Sequence, residues 1–69
     1  MIDWRYKAIR SIRTWRAVTA KHTWIIARAG RIYYLYRFSR NRFDEQFIAL
    51  YVDLECAQNT VAQIEGVAA

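Results

Sequence analysis

The sequence predicts an α+β domain: a small antiparallel sheet packed on one C-terminal helix. Three observations carry this. Thr23-Trp24-Ile25-Ile26 and Ile32-Tyr33-Tyr34-Leu35-Tyr36 are rich in β-branched and aromatic residues and flank Ala29-Gly30, the composition of two strands about a tight turn. From Phe43 onward, Phe47, Leu50, Leu54, Ala57, Val61 and Ile64 recur at three- and four-residue steps, an apolar stripe on one helical face. The charge is also divided. All eleven Lys and Arg lie in the first 42 positions with Asp3 the only acid, whereas residues 43–69 carry Asp44, Glu45, Asp53, Glu55, Glu65 and no cation.

Sixty-nine residues allow one domain, residues 1–69, with a thin core. Three Trp, five Tyr, three Phe and a 55% apolar content argue against disorder despite the charge. No covalent staple is available, because Cys56 is the only cysteine. Neither it nor His22 has metal-ligand spacing around it, so no metal or other cofactor is expected. Within an amphipathic segment such a thiol is expected as a small buried apolar residue.

The first element is ambiguous. Trp4, Ala8, Ile12, Trp15 and Thr19 make a helical stripe, whereas Tyr6-Lys7-Ala8-Ile9-Arg10-Ser11-Ile12 reads as a strand. A lone two-stranded hairpin on one helix is poorly stable, so a third strand at 6–12 completes the layer. The second element is a hairpin over about 23–28 and 31–38. Folding it about Ala29-Gly30 sets Arg28 opposite Arg31, Ala27 opposite Ile32, Ile26 opposite Tyr33 and Ile25 opposite Tyr34. Opposed residues share a face. One face then holds Ile25, Ala27, Ile32, Tyr34, Tyr36 and Phe38 and reads as core. The other holds Trp24, Ile26, Arg28, Arg31, Tyr33 and Arg37 and reads as a basic aromatic surface. The third element is a helix over about 42–65, with Asn41 or Ser39 as cap, Asp44 and Glu45 at its positive end and Gly66 as its stop. The alternative is an all-α helical hairpin, since apolar positions at heptad-like spacing run from Ile12 to Val61. Gly30 and the aromatic cluster weigh against it.

With these elements placed, the chain resembles the sheet-and-helix DNA-binding domains of the plant ethylene-response-factor class, found also in phage integrases and homing endonucleases. The resemblance lies in Tyr-Lys-Ala-Ile-Arg at 6–10, Thr-Trp-Ile-Ile-Ala-Arg at 23–28, Gly-Arg at 30–31, Leu-Tyr-Arg-Phe at 35–38 and the helix after them. It covers residues 6 to about 55. Tyr36 stands where that family usually has Gly, and the stretch from Arg13 to Lys21 is longer than its first turn. The resemblance implies a three-stranded sheet laid in the DNA major groove. By position, Arg10, Trp24, Arg28, Arg31 and Arg37 are the DNA-facing residues it implies.

The residue pattern points the same way. A dense cationic surface meets an anion, most often nucleic acid. Arginine matches guanine edges or clamps phosphate, a two-stranded ribbon fits the major groove, and Trp24 or Tyr33 can touch sugars or bases. The candidate nucleic-acid-binding set is therefore Arg10, Trp24, Arg28, Arg31, Tyr33 and Arg37, with duplex DNA as the expected partner and RNA as the other nucleic acid the chemistry allows. In the plainer reading those aromatics are a second core face with arginines at its rim. An enzyme is not expected. His22 sits at a proposed turn with no nucleophile or carboxylate near it in sequence, Asp44 and Glu45 are adjacent and suit dipole capping, and two glycines make no phosphate loop. A second function class is a phage-like structural subunit that assembles head to tail, basic N-terminal half against acidic helix, as a homo-oligomer. A membrane-surface peptide is the third and weakest, and rests on the helical reading of residues 4–20. The opening Met-Ile-Asp-Trp-Arg has no apolar h-region, and arginines interrupt the longest apolar run, so a cytoplasmic protein is expected.

Overall fold

The computed structural model describes residues 2–39 and 45–66. Five strands run in sequence order, β1 (Arg5–Ile9), β2 (Ile12–Val18), β3 (His22–Ala29), β4 (Ile32–Ser39) and β5 (Glu45–Tyr51), followed by one helix, α1 (Leu54–Glu65). The strands form one antiparallel sheet in the order β1-β2-β3-β4-β5. The α+β class is that of the sequence pattern, and the all-α alternative is not what the chain adopts. The sheet has five strands where the resemblance implies three.

Two tight turns set the register. At the β1–β2 tip Arg10 and Ser11 both have positive φ, 51° and 68°, as a two-residue type I′ loop requires. At the β3–β4 tip the loop is Gly30-Arg31, with Gly30 at φ 62°, the first loop position where type II′ turns take Gly. The expected loop was Ala29-Gly30. The true pairs are Ala29 with Ile32, Arg28 with Tyr33, Ala27 with Tyr34 and Ile26 with Leu35. This is a two-residue slide, and because side chains alternate with period 2 it leaves every strand residue on its expected face, while Arg31 moves into the loop.

The roles of the two faces, however, are reversed. The core is built on Trp24, Ile26 and Leu35 from the sheet and Ala57 and Val61 from α1, with Ile2, Trp4, Trp15, Tyr33, Ile48, Tyr51 and Leu54 packed around it. The face expected to be solvent-exposed is thus the one α1 covers. The face of Ile25, Ala27, Ile32, Tyr34, Tyr36 and Phe38, expected as core, has no described element packed over it and is only partly buried. Both faces of this hairpin are apolar enough to be a core. The neighbouring strand tips the balance: β2 adds Trp15 and Ala17 to the covered face, and Thr14 and Arg16 to the open one.

The expected helix over 42–65 begins late, because Glu45–Tyr51 is a strand. Tyr36 pairs with Phe47 and Leu35 with Ala49, which leaves Ile48 as an extra residue in a bulge. The bulge breaks the strand's alternation and puts Phe47 and Leu50 at the three-residue spacing that reads as helical. Asp53 caps α1 and accepts a bond from the Cys56 N–H at 3.2 Å. Of the caps expected from sequence, Ser39 ends β4 and Asn41 lies outside the described residues, as does Asp44. Gly66 ends the helix as expected, at φ 72°, with its N–H directed to Ala62 and Gln63. Cys56, expected to be buried, is exposed. Among the described residues no helix is long and apolar enough to cross a membrane.

Candidate nucleic-acid interface

The meander places both tight tips at one end of the sheet, and arginines collect there. Arg13 on β2 lies directly opposite Arg28 on β3. Arg10 and Arg31 occupy the two neighbouring tips. Like charges directly opposite across strands oppose pairing, so this end keeps a cost that hydrophobic register alone does not demand. Arg28 is held in place: its Nε donates to the Gly30 carbonyl at 2.9 Å, and its guanidinium lies 5.8 Å from the Tyr33 ring centre. Tyr33 in turn packs on Trp15, ring centres 5.8 Å apart. Among the described residues the ion pairs are Arg5 with Asp3 and His22 with Glu65, so these four arginines face the solvent without a carboxylate partner. A second like-charged pair, Arg5 with Arg16, lies on the open face, beside an open concavity lined by Asp3, Arg5, Tyr6, Lys7, Arg16 and Val18.

Of the six residues expected at the interface, the structure brings Arg10, Arg28, Arg31 and Tyr33 to this one end and separates the others. Trp24 is 0% exposed and its Nε1 donates to Glu65 Oε1 at 2.7 Å. It is a core residue. Arg37 sits at the other end of the sheet, opposite Trp24 in the ladder. Its guanidinium rests 5.8 Å over the Trp24 ring and donates to the Gln46 side chain. Arg13, outside that set of six, also belongs to the end cluster; it stands in the basic run Arg5, Lys7, Arg10, Arg13 and Arg16, whose cations read from sequence as phosphate clamps if the segment is strand and loop. The signal that finds it is the spacing of Arg10 and Arg13 around a two-residue turn, which needs β2 to be read as a strand.

A second polar cluster lies under the helix end. Glu65 Oε1 receives the Thr19 hydroxyl at 2.7 Å and the Trp24 indole N–H at 2.7 Å, with His22 Nδ1 at 3.2 Å. Thr19 Oγ1 also accepts the His22 backbone N–H at 3.1 Å, and the His22 ring stands edge-on to Trp24 at 5.6 Å. His22, expected in a turn, is therefore the first residue of β3 and is tied to the helix end. Burial raises the Glu65 pKa, but the hydrogen bonds from Thr19, Trp24 and His22 and the charge of His22 outweigh it, and the net displacement is downward from 4.5. The group joins the last turn of α1 to β2 and β3. Thr19 bonds the carboxylate rather than the imidazole. Among the described residues no three His, Cys, Asp or Glu gather as metal ligands.

Fold and site together define a five-stranded meander with one covering helix and a cationic end. No family model, curated protein or solved structure matches the chain.

Proposed function

We propose that this chain is a non-enzymatic nucleic-acid-binding protein that grips the backbone of duplex DNA with the arginine end of its sheet. One observation supports it above the others: Arg13 and Arg28 face each other across β2 and β3, flanked by tip residues Arg10 and Arg31, and none of the four has an acidic partner among the described residues. A fold keeps so many like charges together most economically when an external anion neutralises them, and planar guanidinium groups suit phosphate oxygens. Tyr33 supports this set through a cation–π contact with the Arg28 guanidinium. Trp24 has no part in it. The αL conformation of Arg10, uncommon for a residue with a long side chain, places that side chain at the extreme tip, where a groove or backbone is reached first.

The other reading, head-to-tail assembly of the basic half on the acidic helix, has fewer carboxylates to draw on than the sequence implies. Glu65 is turned into the sheet and Asp53 caps α1, which leaves Glu55 as the acid of α1 without a partner among the described residues.

The test is fluorescence anisotropy of a labelled duplex across a salt series. Each phosphate contact removed should lower the slope of log affinity against log salt by about 0.9. Replacing Arg28 and Arg31 together by Ala should therefore weaken binding and reduce the slope by roughly 2. An unchanged slope, or no binding by the unaltered protein even at low salt, overturns the proposal.

A further inference from the structure

We infer that the open face of the sheet is a self-complementary interface on which a second copy of this chain packs, making a two-fold β-sandwich. Helix α1 covers one face. The opposite face presents Ile9 from β1, Ile12 and Val18 from β2, Ile25 and Ala27 from β3, Ile32, Tyr34, Tyr36 and Phe38 from β4, and Phe47 and Leu50 from β5. Five of these are at least half exposed: Ile9, Ile12, Val18, Phe47 and Leu50. The aromatic side is already clustered, with Phe47 5.7 Å from Tyr36 and 6.4 Å from Tyr34, ring centre to ring centre. Over β3, β4 and β5 these side chains form a contiguous apolar patch of a kind rare on a chain that stays alone in water. Five strands about 4.8 Å apart, each of seven or so residues at about 3.3 Å, give a flat footprint of roughly 500 Å². Side-chain relief raises that toward the ~800 Å² per partner of stable interfaces.

The distribution of charge on this face selects a second copy as the occupant and also its orientation. The β1–β2 half carries Arg5, Lys7 and Arg16, and the β4–β5 half carries the rings. Cross-strand registers put Arg5, Arg16, Ile25, Tyr36 and Phe47 in one row and Lys7, Thr14, Ala27, Tyr34 and Leu50 in the next. A two-fold axis parallel to the strands lays each half on its opposite. Arg16 then lies over the partner's Tyr36 and Arg5 over the partner's Phe47, as cation–π pairs, to within the ~30° rotation usual for facing sheets. Ile25 and Ala27 on the central strand meet their own copies at the axis. A two-fold axis across the strands instead sets β1 over β1, with Arg5 and Lys7 against themselves, and is rejected on charge. The parallel axis keeps both arginine ends pointing the same way, so one end of the dimer carries two copies of Arg10, Arg13, Arg28 and Arg31. The interface stands independently of the nucleic-acid reading.

Sedimentation velocity of the full chain over a concentration series, at low and high salt, tests this. The expected result is a dimer that holds or tightens as salt rises, because salt screens the repulsion between two chains that each carry a net charge of +5. Phe47→Lys with Leu50→Lys, both at exposed positions, should give a monomer with unchanged far-ultraviolet circular dichroism. As an arm that does not depend on that variant folding, Ala27→Cys in a Cys56→Ser background should be joined to itself by a bis-maleimide of about 10 Å span, the distance between facing sheets. Lys7→Cys in the same background should not be joined. A monomer throughout the unaltered series overturns the inference, as does a dimer that survives the double lysine variant or one that cross-links through Lys7→Cys but not Ala27→Cys.

Discussion

Glu65 is an acid in the last turn of α1, where the helix dipole disfavours negative charge. Its three donors offset that. Two of them, the Trp24 indole and the Thr19 hydroxyl, lose a partner if the carboxylate is removed, so the cost of its loss exceeds that of a surface charge. Glu65→Ala should destabilise the fold by about 2–3 kcal/mol, lowering Tm by roughly 10–20 °C at 4–8 °C per kcal/mol. A thermal melt followed by tryptophan fluorescence measures this, and a loss within error of zero would remove the carboxylate from the account of stability. The same group sets an acid limit. Its folded pKa is depressed, so its contribution is complete above the unfolded value near 4.5 and is lost as pH falls through the folded value. Stability measured by urea melts should therefore fall below pH 4.5 in the unaltered protein and fall less in Glu65→Gln. Trp24 shows why single residues were hard to read from sequence. A Trp among arginines looks like a recognition residue, and nothing local reveals that a carboxylate 41 positions away closes over it.

Among the elements, the β1–β2 hairpin bears the clearest tension between stability and use. Its loop puts Arg10 and Ser11 in left-handed conformations, which cost ordinary residues roughly 1–2 kcal/mol each. Ser11→Gly should therefore stabilise the fold by about 1 kcal/mol while leaving nucleic-acid affinity unaltered. Arg10→Gly should stabilise similarly but weaken binding. Urea melts and anisotropy on the pair separate the two effects, and equal affinity for both variants would show that Arg10 is no contact. The β3–β4 hairpin was legible because β-branched and aromatic residues flank a Gly, and only its loop slid. The end of α1 was legible from Gly66. Strand β5 was not, since the bulge at Ile48 erased the period-2 pattern that distinguishes it from a helix. Strand β2 was hidden for a different reason: its register is regular, but Arg13 and Arg16 put a cation on each face and blur the apolar–polar alternation.

At the scale of the molecule, the charge division seen along the chain becomes a division in space. Every cation of the described residues lies in the strands and turns of β1 to β4, and α1 carries acids only. Which face of the sheet is covered could not be read from alternation, because Ile25, Tyr34 and Tyr36 on one side are as apolar as Trp24, Ile26 and Leu35 on the other. That choice is tertiary and belongs to α1. The sequence-ordered meander has one further consequence, and it concerns time. Each strand pairs with its neighbour in the chain, so the ladders close through short loops and form early. The Thr19–Glu65 bond spans 46 residues and closes only once α1 docks. Stopped-flow chevrons of Glu65→Ala should therefore show a refolding rate changed by less than about twofold and unfolding faster by roughly 30-fold for a 2 kcal/mol loss. The latch beneath the helix would then govern how long the native state lasts rather than how quickly it is reached.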